Sequence, residues 1–168
     1  VLVKPDGVMR GLTGEVIDRI EQRGLKVVAL KMVQVDREHL DKHFPSDPEW
    51  VKGLGNKGLK TFAEYKIDPK KHMGSDDPAE IGAKVKESLF DYMTSGPIVA
   101  MVVEGIHAID MVRKIAGATL PVFAEIGSVR GDYSVDSPAV ANVEGRAIKN
   151  VMHASENPEE ATKEIDLW

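Results

Sequence analysis

The densest chemistry in the chain is the run Asn150-Val151-Met152-His153-Ala154-Ser155-Glu156. It puts an imidazole on a short apolar segment, with a small residue and a hydroxyl directly after it. A helix with strong start signals comes next. Asn157 suits its cap, Pro158 its first turn, and Glu160 stands three residues beyond the cap. A histidine at the mouth of a strand-to-helix junction can serve as a nucleophile or a general base. The same histidine can also be a hydrogen-bonded residue at a strand end, so other residues have to decide. Glu164, on the helix that follows, lies among the apolar Ala161, Ile165 and Leu167. A carboxylate there could hold one imidazole nitrogen and leave the other free to attack. On spacing alone it reads as a surface glutamate.

Four groups at loops or helix ends could handle phosphate: Lys4, Arg113, Thr119 and Arg130. The planar fork of arginine binds two oxygens, whereas lysine acts as a point charge. Arg130 is the most suggestive, because it falls in a long loop between Gly127 and Gly131. The chain has no Walker loop and no GxGxxG, so phosphate would be held by side chains. His39, His43, His72 and His107 show no metal-ligand spacing with a third partner. The aromatic residues are scattered and form no platform for single-stranded nucleic acid.

These residues need elements to place them. Residues 1–3 read as the end of a strand that continues upstream, stopped by a turn at Lys4-Pro5-Asp6-Gly7. Thr13 caps a helix ending before Gly24, residues 25–35 form a strand, and Asp36 starts a short helix carrying Leu40, His43 and Phe44. Residues 45–88 are lysine-rich, with few apolar anchors and a weak helix opened by Asp77-Pro78. They read as an insertion on the edge of a single domain spanning 1–168, too polar for a core of their own. Residues 98–103 are a central strand and 107–117 a helix with Ile109, Val112 and Ile115 facing inward. A long loop covers 119–133, and the last helix covers about 158–167. Two β-α-β halves in this order predict an α/β sandwich of the ferredoxin-like type, βαββαβ, with a four-stranded antiparallel sheet.

The 168 residues, 42% hydrophobic and 29% charged, suit one soluble domain with a substantial core. A net charge of −5 argues against non-specific nucleic-acid binding, and the lack of cysteine excludes thiolate metal sites. No apolar run approaches the ~20 residues that span a bilayer, so no membrane partner is expected.

In order along the chain, Val3-Lys4-Pro5-Asp6-Gly7-Val8 with Arg10-Gly11, then Ser95-Gly96-Pro97, then Arg130-Gly131-Asp132, then Asn150-Val151-Met152-His153-Ala154-Ser155 closely resemble nucleoside diphosphate kinase. The resemblance spans the chain apart from residues 45–88 and 136–144, and longer variants of that family carry extra residues at the first of these places. It implies that His153 takes the γ-phosphate of a nucleoside triphosphate such as ATP or GTP and passes it to a diphosphate. It implies that Glu164 orients the imidazole and Ser155 supports that pair. Lys4, Arg113, Thr119 and Arg130 would hold the phosphates, and Asn150 and Lys4 the ribose hydroxyls. Val85 and Ile148 would clamp the base, and Mg²⁺ would arrive with the nucleotide rather than in a protein cage. It further implies a cytoplasmic homohexamer or homotetramer, with the 118–133 loop and its Val122, Phe123 and Ile126 at the contact. Three positions depart from the family: Phe44 where it often has a tyrosine, Val85 where an aromatic stacks on the base, and Ala154 where a glycine follows the histidine. Two rivals remain. A non-catalytic binding module of the same fold is disfavoured by the intact histidine. A metal-dependent phosphohydrolase would need a carboxylate cluster that the chain lacks.

Overall fold

The computed structural model describes all 168 residues. The first half runs β1 (Leu2–Val3), α1 (Pro5–Met9), α2 (Thr13–Glu21), β2 (Lys26–Val33), α3 (Arg37–His43), α4 (Pro48–Glu64), α5 (Pro69–Met73) and α6 (Pro78–Thr94). The second half runs β3 (Ile98–Glu104), α7 (Ala108–Ala116), a 3-10 turn (Pro121–Phe123), α8 (Val129–Tyr133), α9 (Pro138–Val143), β4 (Met152–His153) and α10 (Pro158–Leu167). The four strands form one sheet in the order β2-β3-β1-β4, and every neighbouring pair is antiparallel. This is the expected ferredoxin-like α/β sandwich.

Side chains alternate across a strand, so the central strands feed two cores. Val3, Val99 and Met101 point to one face and meet Val16 and Ile20 of α2 and Val112 and Ile115 of α7. Leu2, Ile98 and Ala100 point to the other and meet Leu40, Phe90, Met93 and Trp168. Buried on both sides, residues 98–101 read as a continuous apolar run. The edge strand β2 differs: residues 28–32 are all exposed, among them Val28, Leu30 and Met32.

Three local expectations change. The segment after Lys4 is a helical turn rather than a loop, with Pro5 at its first position and Val8 N–H bonded to Lys4 C=O at 3.0 Å. Proline is tolerated there because its missing N–H has no intrahelical partner to lose. Thr13 begins α2, but the cap position falls on Leu12 and no side chain caps it. The helix opened by Asp77-Pro78 is not weak: it runs 17 residues, with the Asp77 carboxylate accepting the N–H groups of Ala79 and Glu80.

Residues 45–88 also hold more than a solvated edge. Phe62, Met73 and Ile81 form a small buried cluster between α4, α5 and α6. Two glycines make it possible. A Cβ on Gly55 would stand 1.7 Å from Pro78 O, and one on Gly82 1.9 Å from Val51 O. The backbones of α4 and α6 therefore touch, and few large side chains are needed between them. No helix is long and apolar enough to cross a membrane.

Candidate active site

His153 ends β4, paired with Leu2 of β1, and its side chain is 23% exposed. The start of α10 is built as its sequence suggests. Asn157 Oδ1 accepts Glu160 N–H at 2.8 Å, and the Glu160 carboxylate reaches back to Glu156 N–H. The helix so anchored carries Glu164 to the histidine. His153 Nε2 lies 2.6 Å from Glu164 Oε1, and Ser155 Oγ–H donates to Oε2 at 2.6 Å. Burial works to raise the Glu164 pKa, but the hydrogen bonds from His153 and Ser155 prevail and hold it below the usual carboxylate value. An ionised carboxylate requires Nε2 to carry the proton, which leaves a lone pair on Nδ1.

The backbone leading to His153 is strained. Met152 N–H bonds to Asn150 C=O at 2.7 Å around Val151, whose φ is +68°. Such a turn on a β-branched residue costs on the order of 1–3 kcal/mol.

The cations lie beside this turn. Lys4 Nζ donates to Asn150 Oδ1 at 2.7 Å, and the buried Asn150 donates from Nδ2 to Thr119 C=O at 2.8 Å. Burial pushes the Lys4 ammonium down to about 8, and the nearby Arg130 adds to that while Asp6 opposes it. Arg130 is only 7% exposed. It donates to Gly117 C=O at 2.7 Å and to Met152 C=O at 2.8 Å, and its Nε has no partner. Burial, then the charge of Arg113, pushes it down to about 10. A buried guanidinium bound only to carbonyls is short of negative charge, which an anion would supply.

The long loop buries Arg130 by folding into α8. Ser128 Oγ caps that helix by accepting Gly131 N–H at 3.2 Å, and a Cβ on Gly131 would stand 2.0 Å from Glu125 O. Arg113 and Thr119 are exposed beside it.

The structure thus brings together His153, Glu164, Ser155, Lys4, Asn150, Thr119, Arg130 and Arg113. Val85 and Ile148 are not joined in the same way. Val85 packs against the Phe62, Met73 and Ile81 cluster, and Ile148 belongs to none of the apolar clusters. Phe44 stacks on Phe90 at 6.0 Å and offers no hydroxyl.

His43 is the residue that sequence reasoning missed. It closes α3, and its ring meets that of His153 edge-on at 5.3 Å. Its Nδ1 accepts from Trp168 Nε1 at 3.3 Å and lies 3.5 Å from Glu164 Oε1. Burial, then the neighbouring His153, pushes it down to about 4. No spacing rule could have found it, because His43 and the Trp168 that bonds to it lie 125 residues apart in sequence. The donor atoms of His43, His153 and Glu164 lie within 4.8 Å of one another. At 2.6 Å, however, His153 Nε2 and Glu164 Oε1 are hydrogen-bonded, whereas two ligands of a tetrahedral zinc stand about 3.3 Å apart.

Comparison with known proteins points the same way. A family model described as "Nucleoside diphosphate kinase" matches residues 1–50 and 70–168, leaving most of α4 unmatched. The nucleoside diphosphate kinase of Pyrobaculum aerophilum is 51% identical over the whole chain and 92% of its own length. That of Thermococcus kodakarensis is 43% identical over the whole chain and 74% of its own length. Among solved structures, an NDP kinase from Pyrobaculum aerophilum matches with a TM-score of 0.94 at 48% identity, covering 99% of this chain and 92% of the other. A transition-state mimic of the nucleoside-diphosphate kinase from Borrelia burgdorferi, with bound vanadate and ADP, matches with a TM-score of 0.77 at 36% identity, covering 99% and 83%.

Proposed function

The chain belongs to the nucleoside diphosphate kinase family, and from that premise we propose how its residues divide the work. The activity is transfer of the γ-phosphate of a nucleoside triphosphate to a nucleoside diphosphate. His153 Nδ1 attacks the γ-phosphorus, the N–P bond forms, and the bond to the β,γ-bridging oxygen breaks. The diphosphate leaves with that oxygen. A terminal β-oxygen of a second diphosphate then attacks the phosphohistidine, and the N–P bond breaks in turn. The observation that carries this reading is the His153 Nε2 contact with Glu164, itself held by Ser155, which leaves Nδ1 unengaged. The ionised Glu164 stabilises the positive charge that the ring gains on phosphorylation.

Lys4, Arg113, Thr119 and Arg130 hold the phosphates, and the two desolvated cations, Lys4 and Arg130, wait where charge builds on the transferring group. Asn150 and Lys4 take the ribose hydroxyls. The side chains at the phosphate end are cationic, and the nearby Glu164 is already engaged, so the donor set does not suit a resident magnesium ion. It suits Mg²⁺ held by the phosphate oxygens of the incoming nucleotide, where the ion neutralises charge on the phosphates. Ile148 flanks the base through apolar contact, whereas Val85 is engaged with Phe62, Met73 and Ile81.

Residues 45–88 are an insertion within one domain, a reading supported by the unmatched residues 51–69. The protein is a cytoplasmic homohexamer or homotetramer. Two apolar surfaces support assembly: Val28, Leu30 and Met32 on β2, and Val122, Phe123 and Ile126 on the 118–133 loop.

The test is incubation with γ-labelled ATP. An acid-labile, base-stable phosphoenzyme should form and be absent from His153→Ala. Label that survives that substitution would overturn the reading.

A further inference from the structure

Asp6 has no part in the chemistry described so far, yet it is only 4% exposed and lies under the centre of the site. Its Oδ2 accepts Val151 N–H at 3.2 Å, and its Oδ1 accepts the hydroxyl of the buried Tyr92. The other polar group of Val151, its carbonyl, accepts Lys4 N–H at 2.8 Å. Residues 4 and 6 therefore grip both ends of the one non-glycine residue in the site with left-handed backbone. Gly7 allows the approach, since a Cβ there would stand 2.9 Å from Val151 O and 2.9 Å from Val3 Cγ1. Each neighbour of Val151 holds a working group: Asn150 accepts from Lys4, Met152 C=O accepts from Arg130, and His153 follows.

We propose that Asp6, backed by Tyr92, is a positioning residue for phosphoryl transfer, locking the Val151 turn and setting its negative charge against Lys4. The proposal rests on the phosphohistidine reading above. The charge is the informative part. An asparagine at residue 6 could make both hydrogen bonds, its carbonyl accepting from Val151 and its amide donating to Tyr92. An asparagine would not, however, counter the desolvation of Lys4. The groups facing Lys4 are Asp6 on α1, the Tyr92 ring on α6 with its centroid 5.7 Å from Nζ, Arg130 on α8 and His43 on α3. Asp6 is the carboxylate that works to keep Lys4 protonated, against burial and Arg130.

The experiment follows kcat/KM for phosphate transfer from ATP to GDP between pH 6 and pH 10, with thermal unfolding alongside. It uses the full chain, Asp6→Asn, Tyr92→Phe, Lys4→Ala and His153→Ala. In Asp6→Asn the alkaline limb should move down by about half a pH unit or more, as expected for loss of a nearby opposite charge. Tyr92→Phe keeps that charge, so the limb should stay in place while kcat falls about threefold or more as the turn loosens. Lys4→Ala should abolish the limb. An Asp6→Asn enzyme with an unmoved limb overturns the proposal, whether its rate is that of the parent or is lowered equally at every pH. A limb that persists in Lys4→Ala also overturns it. If Asp6→Asn does not fold, Tyr92→Phe decides: parental kcat overturns the proposal, and a fall without loss of thermal stability upholds it. Phosphoenzyme in His153→Ala would sink the underlying reading. Loss of label there, with Asp6→Asn unchanged, would sink only this proposal.

Discussion

The phosphate end of the site and the α4–α6 segment both carry lysine or arginine, and they use it in opposite ways. At the site two cations are desolvated and fixed to named oxygens, Lys4 to Asn150 and Arg130 to Gly117 and Met152, while Arg113 stays exposed beside them. On α4 and the turn after it, Lys52, Lys57, Lys60 and Lys66 are exposed. The pairing that Lys70 makes with Asp76 is between two largely exposed side chains, 65% and 60%. Water screens such charges, so they add little to stability or to a local field. Taking the same charge out of water costs free energy that a bound phosphate can return. Burial, rather than the number of cations, sets Lys4 and Arg130 apart from the solvated lysines.

The sharpest way to break that contrast is to remove the buried cation. Arg130→Ala should lower kcat/KM on the order of a thousandfold, with Arg130→Lys a poor substitute because it loses the two-pronged grip on the carbonyls. Steady-state kinetics check this, and a loss under tenfold would place phosphate binding elsewhere. In the other region, Phe62→Ala should destabilise the fold by roughly 3 kcal/mol through the cavity it leaves, seen in chemical denaturation. Transfer activity per folded molecule should hardly change. A third effect comes from pH. Lys4 is pushed down to about 8, and its ammonium is the active form. Raising the pH through that value removes the charge, so kcat/KM should fall about tenfold per pH unit above it, a limb missing from Lys4→Ala. The smallest effect expected is from Lys60→Ala, which should change stability by under about 0.5 kcal/mol and leave transfer untouched. A large loss there would show that the exposed lysines act on the nucleotide after all.

Much of the site was legible because its signals are local. Asn157, Pro158 and Glu160 announce α10, and that helix does carry Glu164 to His153. The apolar run of residues 98–101 announces the central strand, and Ser128, Arg130 and Gly131 lie in a loop whose length sets it apart. Three things were not legible. The α4–α6 crossing depends on Gly55 and Gly82, and glycines add nothing to an apolar count. His43 carries no spacing signal toward His153. Val85 packs into the cluster below α4, because inserted helices change what its face of α6 meets.

By itself, the sequence determined the strands and the helices that pack on them, their order, the charge balance and the presence of each reactive group, because capping, turn formation and side-chain alternation act over a few residues. Only the tertiary structure decided which groups work together. Asp6 meets Tyr92 86 residues away and Val151 145 residues away, and Lys4 meets Asn150 146 residues away. Those meetings follow from the sheet order, which sets β1 between β3 and β4 and so lays the start of the chain beside its end. Desolvation follows from the same packing. It makes Lys4 and Arg130 unlike any other lysine or arginine side chain in the protein, and it exists only once the layers have closed around them.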